Sequence, residues 1–169
     1  MAKIIKDGRI VEDAWRLVRL AENEAPGAAA LPEGEIIVPF AVWRARRAEL
    51  LARGRPLGVW LAADEPPEAI AADLAHFAVV AVDFPKFSDG RGYSTARLLR
   101  ERHGYAGELR AIGDVLRDQL YYMKRCGFNA YAVRADKDIQ AALAGLDAFP
   151  ESYPAAADQP LPLFRRRKS

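Results

Sequence analysis

Five short apolar runs, each followed by a segment of helix length, constrain this chain more than any other feature. They are Ile36-Ile37-Val38, Leu57 to Ala62, Ala78 to Val82, Leu109 to Ile112 and Ala130 to Val133. Each is short enough for a strand, and about 20 to 30 residues separate one from the next, the interval that parallel strands need for a helical crossover. The segments between read as helices: Ala41 to Arg53 stopped by Gly54, Pro66-Pro67 through Leu74, Ser94 to Arg102 ending near Gly104, Asp114 to Cys126 stopped by Gly127, and Asp136 to Leu146. Ala78-Val79-Val80-Ala81-Val82 is apolar on both faces, as a central parallel strand is.

The expectation is therefore an α/β fold with a mostly parallel sheet of about five strands and alternating helices, arranged as an open doubly wound sheet. A partial TIM-like barrel, completed by a second chain, is the alternative, because a closed barrel of eight units takes about 250 residues and this chain has 169.

The first residues follow a different grammar. Asp7-Gly8 stands between Lys3-Ile4-Ile5-Lys6 and Arg9-Ile10-Val11, the pattern of a tight β-hairpin whose turn needs positive φ. Trp15 to Val18 reads as a third extended piece, and Glu22 to Gly34, rich in Ala, Glu, Gly and Pro, as a flexible connection. Three parts follow: a hairpin and linker over 1–34, an α/β core over 35–150, and an extended Pro-rich tail over 151–169. In the tail Leu161, Leu163 and Phe164 are expected to dock, either on their own chain or on a neighbour, and a homo-oligomer is one outcome.

Composition removes several classes of function. Hydrophobic residues at 51% and charged residues at 28% describe a globular chain. A net charge of +2 is too small to mark a nucleic-acid binder, and the run Arg165 to Lys168 reads as a solvated tail. The single Cys126 rules out an internal disulfide framework, an all-cysteine zinc site and a four-cysteine iron–sulfur cluster within one chain. With His76 and His103 far apart, no metal site and no cofactor are expected. No apolar run approaches the ~20 residues that cross a bilayer, so a cytoplasmic protein without membrane attachment is expected.

Parallel α/β proteins bind ligands beyond the carboxyl ends of their strands, where Asp64, Asp83, Asp114 and Arg134 fall. Asp64 and Asp114 also suit the N-caps of the following helices. Asp83 opens the loop Phe84 to Gly92, longer than the usual two to six residues. Lys86 and Arg91 bring positive charge, Ser94 opens the next helix with free N–H groups, and Arg97 lies one turn in, which together suit an anion. Asp83 and Asp89 would orient the cations or, in a catalytic version, act as a base. The alternative has the same residues tying the loop down internally. Three-glycine and Walker fingerprints are both missing, so nothing specifies a nucleotide. Tyr121, Tyr122 and Met123 suit core packing or a partner surface.

The segments Asp83-Phe84-Pro85-Lys86-Phe87-Ser88-Asp89-Gly90-Arg91-Gly92-Tyr93-Ser94, Ala96 to Arg100 and Gly113 to Leu120, with Met123 to Phe128 and Asp7-Gly8-Arg9, resemble a family of small bacterial proteins of unknown function labelled as oxidoreductases involved in sulfite reduction. The resemblance implies a role in sulfur assimilation beside a sulfite or nitrite reductase, and brings no catalytic residues with it. One cysteine cannot ligate a four-cysteine cluster, so the chain is not itself the six-electron reductase. An accessory protein that assists the reductase is the first expectation. A small auxiliary enzyme acting on a small anion at the Asp83 to Ser94 loop is the second.

Overall fold

The computed structural model describes residues 2–86 and 88–147. The expected hairpin is present. Strands β1 (Lys3–Lys6) and β2 (Arg9–Glu12) pair antiparallel with Lys6 opposite Arg9. Asp7 and Gly8 make the turn at φ 51° and 78°, the double positive φ that matches strand twist and that an Asp-Gly pair tolerates.

Six parallel strands follow: β3 (Arg16–Leu17), β4 (Ile36–Pro39), β5 (Leu57–Leu61), β6 (Val79–Phe84), β7 (Glu108–Gly113) and β8 (Ala130–Tyr131). They lie side by side in chain order, and β1 then joins β8 antiparallel through Ile5 opposite Tyr131. The sheet is thus mixed and eight-stranded, in the order β2-β1-β8-β7-β6-β5-β4-β3.

This order corrects the expected five-stranded doubly wound sheet. Doubly wound sheets reverse direction once and carry helices on both faces. Here every crossover steps the same way, and right-handed crossovers stepping one way leave their helices on one face. The burial pattern agrees. Ile36 and Val38, Val59 and Leu61, and Val80, Val82 and Phe84 pack in one cluster with Val42, Trp43, Leu50, Ile70, Ala96, Leu99, Leu120, Met123 and Ala142 from the helices. The alternating residues Ile37, Val79, Ala81 and Ile112 form a separate cluster with Trp15, Trp60 and Ala132.

What covers that second face is curvature. A flat sheet of eight strands holds its edges about 33 Å apart, yet the edge strands β2 and β3 end and begin at Glu12 and Arg16. Four residue steps reach about 13–14 Å. The sheet therefore curls until Asp13, Ala14 and Trp15 bridge its edges, and Trp15 enters the inner cluster. Of the two architectures considered, the barrel-like one is nearer, with the extra strands supplied by the chain's own Lys3 to Leu17.

Helix α1 (Phe40–Ala52) returns from β4, and a 3₁₀ helix over Pro67–His76 returns from β5. Ten residues at the 3₁₀ rise span about 20 Å against about 15 Å as α-helix, which suits a short crossover running back along a strand of similar length. Helices α2 (Arg91–Glu101), α3 (Arg117–Cys126) and α4 (Ile139–Ala144) complete the layer.

The segment read as a flexible connection is fastened to α1. Arg46 donates to the Ala29 carbonyl at 2.6 Å, Arg53 donates to the carbonyls of Pro32 (2.8 Å) and Gly34 (3.0 Å), and Ala29 is buried. Leu161, Leu163, Phe164 and the rest of the tail lie outside the described residues, as does Phe87. Among the described residues no helix is long and apolar enough to cross a membrane.

Candidate functional site

At the carboxyl ends of β6 and β7 the described residues form an open cleft of ≈ 590 Å³ lined by Arg19, Asp83, Phe84, Pro85, Gly113, Asp114 and Arg134. Alternation places Asp83 on the inner face of β6, two residues beyond Ala81, and its carboxylate accepts from Arg19 at 3.1 Å. Arg19 follows β3, and its guanidinium lies over the ring of Trp60, 5.0 Å from the centroid. Trp60 in turn donates its indole N–H to the Val18 carbonyl at 2.9 Å, which fixes the stem of that arginine.

The second wall comes from the end of β7. Gly113 sits at φ 91°, and a Cβ there would stand 2.5 Å from both the Asp83 Oδ1 atom and the Phe84 carbonyl oxygen. Glycine lets the Asp83 carboxylate rest against the backbone of the next strand. The chain then turns so that the Asp114 N–H donates to Phe84 at 2.7 Å. Arg134, beyond β8, donates to Asp114 at 2.8 Å and grips Asp136 with two further bonds at 3.0 and 2.8 Å. The side chains of Asp83 and Asp114 are 13% and 18% exposed, against 47% and 39% for Arg19 and Arg134. The carboxylates form the floor and the arginines the rim.

Two of the residues expected at strand ends, Asp83 and Asp114, meet here, and Arg134 joins them. The anion-binding set does not assemble around a common point. Helix α2 begins at Arg91, three residues before Ser94, so Ser94 stands a turn inside it and is exposed. Arg91 is held by Asp89 through Nε at 3.1 Å and a terminal nitrogen at 2.7 Å, while the Arg91 N–H donates to the same carboxylate at 3.0 Å. These bonds from Arg91 draw the Asp89 carboxyl down to a pKa of about 2. Arg97 turns toward α3, with Glu101 at 3.4 Å and the Cys126 sulfur at 3.7 Å. Lys86 is exposed on the loop.

Neither capping expectation describes the structure. The helix after Asp64 is capped by Pro66, and Asp64 is exposed, close enough to Arg91 to favour its charged form. Helix α3 starts three residues past Asp114, and Gln119 accepts from the Leu116 N–H at its N-terminus. Arg19, Gly113 and Trp60 were not singled out from the sequence. The rule that selected Asp83 would have found Arg19, since it too follows an extended run.

Across the inner face, at the opposite end of the strands, lies a charged group the sequence reading also passed over. Arg110 donates to Glu108 at 2.7 Å and to Asp13 at 3.0 Å, and Lys6 reaches Glu108 at 3.1 Å. The side chains of Arg110 and Glu108 are nearly inaccessible, so this end of the curled sheet is plugged and the Asp83 end is open.

A family model described as a bacterial protein of unknown function (DUF934) matches residues 58–164, well over half of the chain. The match takes in every residue of the cleft except Arg19, and all the signature segments except Asp7-Gly8-Arg9. No curated protein matches the chain.

Proposed function

The chain belongs to the DUF934 family of bacterial proteins of unknown function, and from that premise we propose that it is an accessory of assimilatory sulfite reduction that assists a sulfite or nitrite reductase without performing the reduction. The observation that carries this reading is the state of the signature loop. Its Asp89 and Arg91 are bound to each other, and a carboxyl drawn down to about 2 is a poor proton acceptor at neutral pH. The auxiliary-enzyme reading needs those groups available.

What helices α2 and α3 do present is a surface. Arg91 is 60% and Tyr122 52% exposed, and Tyr93 on α2 meets Tyr122 on α3 edge-on at 4.8 Å. Tyr122 is exposed and Tyr93 half-buried, and tyrosine and arginine are among the side chains that most often anchor protein contacts. The reductase is proposed to sit against this α2–α3 face.

The test is an in-frame deletion grown with sulfate, sulfite or sulfide as sole sulfur source. Growth on sulfide alone is expected, with restoration by the wild-type gene and not by a folded Tyr122→Ala, Arg91→Ala double variant. Unimpaired growth on sulfate and sulfite would sink the pathway assignment. Full restoration by the double variant would sink the docking face.

A further inference from the structure

The strand-end cleft carries an inference that does not depend on the sulfite reading. We propose that this cleft is a binding site for a small zwitterion bearing one carboxylate and one ammonium group, the charge pattern of a free α-amino acid. Its position is the first argument: it opens at the carboxyl ends of parallel strands in a curled sheet, where such folds hold ligands, and ≈ 590 Å³ lies within the range of small-molecule pockets.

The charge balance is the second. Two arginines, Arg19 and Arg134, face three carboxylates, Asp83, Asp114 and Asp136. A simple anion taking Asp83's place on Arg19 would leave that buried-side carboxylate without its counter-charge, and a simple cation taking Arg19's place on Asp83 would leave the arginine without its own. A zwitterion does neither. Its carboxylate takes the place of Asp83 on Arg19, its ammonium takes the place of Arg19 on Asp83 and lies near Asp114, and the net charge of the cleft is unchanged.

The third argument is the preparation of the two ends. Trp60 stacks beneath the Arg19 guanidinium and bonds the backbone just before it, so the carboxylate receptor is held in place from below. Gly113 keeps the Asp83 carboxylate against the β7 backbone, where no side chain crowds it. A receptor held in its bound geometry loses little freedom when the ligand arrives.

The experiment is calorimetric titration of the full chain with each of the twenty standard amino acids. For those that bind, the N-acetyl derivative, which lacks the ammonium, and the methyl ester, which lacks the carboxylate, are titrated in parallel, with sulfite and sulfate as anion controls. At least one free amino acid is expected to bind, with affinity about tenfold lower or worse for both blocked forms, since each loses a charge-assisted pair. Arg19→Ala and Asp83→Asn should each weaken binding similarly, and Arg55→Ala, at an exposed position between α1 and β5 outside the cleft, should not. Circular dichroism melting identifies any variant that fails to fold, in which case Arg19→Lys, which keeps the charge and loses the planar stack, replaces it with a smaller expected loss. The proposal is overturned if no amino acid binds at 10 mM, if the blocked forms bind as well as the free ones, or if sulfite or sulfate binds and amino acids do not. Failure here leaves the growth phenotype of the deletion untouched, so the two readings fall separately.

Discussion

Arg110 on β7 and Asp13, 97 residues earlier in the chain, are joined at 3.0 Å across the inner face of the sheet. Asp13 belongs to the three residues that bridge the sheet edges, so this ion pair ties the bridge to the far wall. Glu108 and Lys6 extend it. Removing the guanidinium by Arg110→Ala would leave Asp13 and Glu108 facing each other in a poorly hydrated space. A buried pair broken on one side costs about 3–5 kcal/mol, and urea unfolding should show a loss of that order. Arg110→Met with Glu108→Leu and Asp13→Asn should cost less than Arg110→Ala alone, because no buried carboxylate is then left without Arg110 and the half-exposed Lys6 is solvated.

Gly113→Ala should be more harmful than Gly104→Ala. Both positions have positive φ, and left-handed backbone costs an alanine about 1–2 kcal/mol. At Gly104 a Cβ meets nothing within 4 Å, whereas at Gly113 it meets the Asp83 carboxylate and the Phe84 carbonyl, each at 2.5 Å. Comparing the two midpoints in denaturant isolates the collision. Equal losses would show that β7 relaxes freely and that Gly113 is not needed to seat Asp83.

The Asp89 pair sets a pH dependence whose direction is fixed. Its carboxyl is lowered from 3.8 to about 2, chiefly by the side-chain bond from Arg91. A depressed carboxyl contributes stability that is fully present above about pH 4 and is lost as pH falls through about 2. NMR titration of the Asp89 side-chain carbon should give a midpoint near the lower value in the wild type, moving up toward 3.8 in Arg91→Ala. A midpoint unmoved by that substitution would mean the pair does not persist in solution.

Arg100 is a structural cation by its contacts. It donates to the carbonyls of Gly127 at 2.8 Å, Tyr105 at 2.7 Å and Gly107 at 2.9 Å, clasping the ends of α2 and α3 to the turn before β7. Arg100→Lys keeps the charge and cannot fill three divergent acceptors. Both Arg100→Lys and Arg100→Ala should lower stability by roughly 1–3 kcal/mol, measured by thermal or urea unfolding. Full retention of stability by the lysine variant would show that charge alone suffices.

The sequence made the β-strands legible and hid their arrangement. Short apolar runs located β4 to β8 within two residues at either end, and Asp7-Gly8 announces its hairpin. The apolar run Ala78 to Val82 predicts burial on both faces, and the second face is covered by Trp15, Trp60 and the curl of the sheet itself. Local pattern reports that a face is buried and is silent about what buries it. The same limit applies to the site. Asp83, Asp114 and Arg134 were visible as strand-end residues. Arg19 is within reach of the same rule, but its pairing with Asp83 is not, because the sequence does not say that β3 and β6 face each other across a curved interior. The loop's sequence admits both an anion site and an internal tie, and says nothing of the bonds between Asp89 and Arg91 that the fold forms.

One feature of the order of strands bears on how the chain comes to be folded at all. The hairpin Lys3–Lys6 and Arg9–Glu12 is made well before the strand that β1 must join, Ala130–Tyr131, which emerges some 125 residues later. At about 5–20 residues per second, the nascent hairpin waits several seconds with one edge unpaired, a state open to wrong partners. Lys3 and Lys6 on the waiting strand repel a second copy of themselves, so polyribosomes crowded with half-made chains are kept from joining them edge to edge. A charge on a waiting edge is of use before there is a native state, and Lys6 can take up its bond to Glu108 only after β7 has been made.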